Sequence, residues 1–235
     1  MTTLAIQRTS PIGEIARHHP ATIALFETLD LDYACRGGRP LEHAALTAGL
    51  DPEELVRSVA SIANDSPRAE EGTLAELLHT IITEHHRLDL DTVRDLTTRL
   101  ARMDHEPLAG RIRRLLLSVH EALRGHILRE ERELFPRIEE LDLHPHRVRA
   151  GSISRPLLAE FVEHEAVSEY LGKLRELTTR LRGGDADAGL LDEIEHFVLR
   201  VRRHLHQENN VLIPRVLELE SRLKSARLSG TAHMH

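Results

Sequence analysis

One pattern occurs twice in the chain and decides what it can fold into. The stretch HILREERELFPRIEEL from His126 matches HLHQENNVLIPRVLEL from His204 at an offset of 78 residues. The same offset sets His86 on His164, Glu130 on Glu208, Leu134 on Leu212, Pro136 on Pro214 and Arg137 on Arg215. Each half therefore carries a histidine followed, 40 residues later, by His-x-x-x-Glu. Separations of 40, 38 and 40 residues from His86 to His126, His164 and His204 suit helices that leave one level, turn and return. At about 1.5 Å per residue, an excursion of about 18 residues each way spans about 27 Å. All four histidines then meet at one depth of an up-down-up-down four-helix bundle.

Helix signals agree with that plan. Thr73-x-x-Glu76 is a capping box opening an amphipathic stretch with Leu74, Leu77, Leu78, Ile81 and Ile82, running to about Arg102. A second stretch follows Glu106-Pro107 toward Leu141, a third runs from Ser154-Arg155-Pro156 to Arg182-Gly183-Gly184, and a fourth from about Gly189 beyond Leu219. The polar run at 64–72, with Pro67 and Gly72, reads as a boundary. Ahead of it Pro11 and Asp51-Pro52-Glu53-Glu54 mark short helices, and a turn over 32–40 holds Cys35, Gly37 and Gly38. The expected fold is all-α: a small helical domain over 1–66, a linker over 67–72, the bundle over 73–222 and a flexible tail over 223–235.

His126 with Glu130, and His204 with Glu208, lie four apart and share a helical face. Buried imidazoles and carboxylates are costly unless paired or metal-bound, so two such pairs plus His86 and His164 make a dinuclear cage. Nitrogen and oxygen donors without thiolate suit iron, manganese or zinc; bridging carboxylates favour two iron ions, oxo- or hydroxo-bridged, with room for O2, NO or peroxide. His79 is a rival ligand, seven residues before His86. His85, His206, Glu131 and Glu133 are expected to be solvated. His18, His19, His43, His105, His144, His146 and His196 have no counterpart in the repeat and are expected to be ordinary, and Pro136 and Pro214 to kink or end helices.

Of 235 residues, Lys+Arg total 31 against Asp+Glu 38, a net charge of -7 that disfavours nucleic acid and anionic membranes. No run of about 18 apolar residues offers a membrane span, and one cysteine cannot form an internal disulfide; a cytoplasmic protein is expected. Cys35, flanked by Arg36 and Arg39, is either an exposed thiolate able to form mixed disulfides or a covalent homodimer, or a buried packing residue.

The six residues His86, His126, Glu130, His164, His204 and Glu208, with Glu-Leu-Phe-Pro after the first pair and Asn209-Asn210 after the second, resemble the hemerythrin-like domain of the repair of iron centers family. Ile12-Gly13-Glu14 and Asp32-Tyr33-Ala34-Cys35-x-Gly37-Gly38 resemble its small leading domain. The resemblance implies a non-haem di-iron protein of the nitrosative and oxidative stress response, which binds or reduces nitric oxide and assists recovery of damaged iron–sulfur clusters. Readings left open are an oxidoreductase of the nitric oxide reductase or peroxidase kind, and a sensor or carrier of O2, NO or iron. Iron–sulfur proteins are the implied clients, and the electron donor is not written in the chain. The resemblance makes the four histidines terminal ligands, Glu130 and Glu208 bridges, and Glu121 and Glu163 proton relays near the iron. Two features depart from the family: Ala34 replaces one of two adjacent cysteines, and Val167 and Ser168 follow His164 where oxygen carriers have a further histidine.

Overall fold

Asp51 and Thr73 show how local chemistry sets the helix starts. The Asp51 side chain accepts from the Glu53 N–H at 2.8 Å, with Pro52 in the first helical position. Thr73 and Glu76 cap each other reciprocally, at 3.1 Å and 2.7 Å. Each such cap contributes about 1 kcal/mol. The computed structural model describes residues 6–69, 72–103, 106–145, 153–182 and 188–231. His105, His146, Gly183, Gly184, linker residues 70–71 and tail residues 232–235 lie outside them. The described residues form helices and no strand, as the sequence implies. None of these helices is long and apolar enough to cross a membrane.

The chain divides into two compact units, Met1–Gly72 with Leu205–Leu212, and Thr73–His204 with Ile213–His235. In the first, helices α1 (Ile12–His18), α2 (Ile23–Thr28), α3 (Leu41–Thr47) and α4 (Pro52–Asp65) enclose Ile12, Ala16, Phe26, Tyr33, Leu41, Ala45 and Val59. Residues 205–212, which the sequence assigns to the bundle, group by contact with the leading unit. Asn210 explains why. Its Nδ2 donates to the carbonyls of Ala34 at 2.8 Å and Tyr33 at 3.2 Å, while Asn209 Nδ2 donates to Ala34 at 3.3 Å and lies 3.7 Å from Cys35 Sγ. His206, expected to be solvated, is buried edge-on against the Tyr33 ring at 5.2 Å. That burial lowers its pKa to about 4, so the ring is neutral.

The second unit is built from α5 (Leu74–Thr80), α6 (Arg87–Leu100), α7 (Pro107–Arg129), α8 (Phe135–Leu143), α9 (Ser154–Leu181), α10 (Ala188–His206) and α11 (Ile213–Thr231). Three π turns, Ile81–His86, Glu130–Leu134 and Gln207–Leu212, join α5 to α6, α7 to α8 and α10 to α11. The four helical stretches expected from the pattern are present, but three of them contain these wider turns. Pro136 and Pro214 give a reason for two of the three. A proline ring clashes with the carbonyl four residues earlier and removes a backbone donor. Each proline sits second in the α-helix that resumes after the π turn, so the wider turn absorbs the missing bond. Helix α11 runs on to Thr231, beyond the expected tail boundary at 223, with Arg222–Glu218 at 2.5 Å and Lys224–Glu220 at 3.3 Å supporting it one turn apart.

In the leading unit Gly13 N–H donates to Gly37 O at 2.8 Å, and a Cβ on either glycine would strike Asn210 Oδ1. Gly37→Ala is therefore expected to destabilise this unit by about 1–3 kcal/mol. Gly38→Ala, with nothing within 4 Å of its Cβ, should stay within about 0.5 kcal/mol. Urea unfolding followed by hydrogen exchange over 10–40 measures both; equal effects would refute the close approach.

Candidate metal centre

Six side chains that are hydrophilic in isolation are withdrawn almost completely from water. His86, His126, Glu130, His164 and Glu208 are each 1% exposed and His204 is 0% exposed. His86 ends the first π turn, His126 lies in α7, Glu130 begins the second π turn, His164 lies in α9, and His204 and Glu208 lie four residues apart across the α10–π junction. Ligand atoms of His86, Glu130, His204 and Glu208 fall within 4.8 Å of one another, as do those of His126, Glu130, His164 and Glu208. Both carboxylates belong to both groups. Two adjacent cation sites sharing two glutamates are what this arrangement can hold.

The fit to metal also shows in the spacing. His126 Nε2 and His164 Nε2 are 3.1 Å apart, and Glu130 Oε2 lies 3.1 Å from His126 Nε2 and 3.3 Å from His86 Nε2. Two donors bound at right angles to one ion, with bonds of about 2.1 Å, stand about 3 Å apart. Buried Glu130 Oε2 has no hydrogen-bond partner among the described residues, a costly state that a cation relieves. Burial alone would push the His126 pKa down, yet the charge of Glu130 and contacts with Glu130, Glu160 and Glu163 raise it well above the ordinary histidine value.

Around the six lie groups that the repeat did not reveal. Glu160 Oε2 is 2.8 Å from His126 Nδ1, and Glu131 Oε1 is 2.8 Å from His86 Nδ1. Glu131 was expected to be a solvated charge; its side chain is 41% exposed but reaches inward to that ring. His85, also expected in solvent, stacks on His204 with centroids 5.2 Å apart. Phe135 stacks on His86 at 5.7 Å. Glu163 Oε2 is 3.5 Å from His126 Nδ1 and pairs with Arg129; the His126 contact, and then Arg129, hold its pKa down against desolvation. Glu121 is not brought to the cluster: its side chain is 70% exposed and pairs with Arg124 at 3.0 Å. The rival His79 is exposed. Val167, one turn beyond His164, is buried and offers no donor. Cys35 is half-buried, and its N–H donates to Asp32 Oδ1 at 2.9 Å.

Residues 76–216 match the model of the hemerythrin HHE cation binding domain, and residues 8–70 match ScdA_N, a domain of unknown function. The chain belongs to the hemerythrin family. Together the two domains give it the composition of the repair of iron centers family. A protein of Enterobacter sp. (strain 638) named iron-sulfur cluster repair protein YtfE is 28% identical over 222 residues, covering 89% of this chain and 97% of that protein. Proteins of the same name from Escherichia coli O17:K52:H18 (strain UMN026 / ExPEC) and Citrobacter koseri are 27% identical with the same coverage. The cofactor of this hemerythrin domain is a di-iron centre, and the paired His/Glu groups are able to hold it.

The protein is expected to bind about two irons per chain, read by metal analysis; a single tightly held zinc would contradict the paired groups. Ligation needs neutral imidazole and ionised carboxylate, and falling pH protonates both. Iron is therefore retained at neutral pH and lost on acidification, and full retention at about pH 3 would overturn the donor set.

Proposed function

We propose that the chain is a non-haem di-iron protein that binds or reduces nitric oxide under nitrosative and oxidative stress and assists repair of damaged iron–sulfur clusters in the cytoplasm. In this reading His86, His126, His164 and His204 are terminal ligands and Glu130 and Glu208 bridge. The observation that carries it is the pair of four-residue groups with shared glutamates. The name borne by relatives covering 89% of the chain supplies the repair role. When bound, the iron pair supplies electron-transfer chemistry and coordination positions for a small ligand.

The chain's own residues decide what reaches that pair. Buried Val167 adds no side-chain donor beside His164, and an iron pair held by His86, His126, Glu130, His164, His204 and Glu208 would keep room for a small ligand. Glu163 is the proposed proton relay from solvent, a role that its half-exposed position between His126 and Arg129 supports. Reduction of two NO to N2O and water consumes two electrons and two protons. The electrons come from an external reductant, since the chain carries no flavin or nicotinamide motif.

Anaerobic addition of NO to the ferrous-loaded protein tests this reading. A changed spectrum is expected, and with a reductant, nitrous oxide. An unchanged spectrum would sink the nitric oxide role, and binding without nitrous oxide would identify a sensor or carrier. Cys35→Ser should leave iron content and NO binding intact while reducing cluster recovery and abolishing any oxidant-induced dimer. Loss of iron in that variant would show the ligand set to be incomplete.

A further inference from the structure

We infer that Glu160 and Glu131 are positioning residues of the metal centre, each holding the Nδ1 edge of one histidine, His126 and His86, so that the Nε2 edge is committed to iron. The inference rests on the reading of those histidines as ligands. A neutral imidazole carries one ring proton, and only the other nitrogen has a lone pair for metal. A carboxylate at Nδ1 keeps the proton there, fixes the ring plane and raises the basicity of Nε2.

The two carboxylates reach their rings by different routes. Glu160 lies in α9 four residues before His164, on the same face, and spans to His126 in α7. It is 7% exposed, and its 2.8 Å approach to His126 Nδ1 is as short as a charge-assisted bond, although bent off the ring N–H axis. Among the described residues its buried Oε2 has no formed hydrogen bond, and it approaches His126 as an ion pair. Glu131 instead uses the π turn. In an α-helix consecutive side chains diverge by about 100°; the wider turn narrows that angle. Glu130 and Glu131 consequently face the two nitrogens of one ring, with Oε2 at 3.3 Å from His86 Nε2 and Oε1 at 2.8 Å from His86 Nδ1. Phe135 stacks on the same ring at 5.7 Å and 15°. Glu131 is more exposed, so water screens its charge more than that of Glu160.

The test uses the full iron-loaded chain, comparing the rate of iron transfer to a ferrous chelator and the midpoint potential of the iron pair. Glu160→Ala should release iron about 10–100-fold faster. Glu160→Gln keeps an oxygen acceptor but no charge, so it should recover most of the retention while its potential moves to more positive values. Glu131→Ala should move both readouts in the same directions by less. His126→Ala separates the two layers of the argument. It should lower iron stoichiometry, whereas the glutamate variants should still load about two irons; a His126→Ala protein with both irons would overturn the ligand reading itself. Parental release rates and potentials in both Glu160→Gln and Glu131→Ala would overturn the positioning role, even if Glu160→Ala fails to fold.

Discussion

Two carboxylates, Glu130 and Glu208, sit where water cannot compensate them, and each is shared by two clusters of imidazoles. Burial of an uncompensated ion costs several kcal/mol, a large part of the stability of an ordinary domain. A helix bundle that collects six such groups at one depth is able to hold cations between them. The helices that carry the histidines also bury Leu116, Val119, Leu123, Leu171, Phe197 and Val201 completely, and in such an interior electrostatic interactions are stronger than in water.

How much of this was legible in the sequence depends on which signal carried it. The six donors were readable because they recur at a fixed offset, and a doubled residue is a stronger signal than any single histidine. The capping box at Thr73 and the N-cap at Asp51 were readable because their chemistry is local. Glu160 was not, because at that offset it falls on Ile82 and so looks like a lone charge on a long helix. Glu131 falls on Asn209, and both prove to have partners that sequence spacing alone does not name.

The resemblance to a family drew attention to Glu121 and Glu163 together, and the structure treats them differently. One ends in a surface pair with Arg124, while the other touches the outer edge of His126. Position along α7 does not by itself decide which side of the helix faces the cluster; Glu121 is five residues before His126 and so projects well away from it. His206 is buried rather than solvated for a related reason. It follows a ligand by two residues and points away from the histidines, but the side it faces is occupied by Tyr33 rather than water.

A π turn is an α-helix with one residue inserted, and such an insertion leaves a trace in a duplicated chain. Downstream of His86 the two halves keep step at 78 residues, because the turns beginning at Glu130 and Gln207 lie at nearly matching places. Upstream, only the first half has a π turn, Ile81–His86, while α9 is continuous. The register must slip by one, and it does: at a separation of 79, buried Leu74, Leu78 and Ile81 pair with buried Ile153, Leu157 and Glu160. Glu160 thus occupies a core seat that isoleucine fills in the sister half. The internal symmetry of the bundle is broken at that seat, so the two groups of donors have unequal surroundings although the donors themselves are alike.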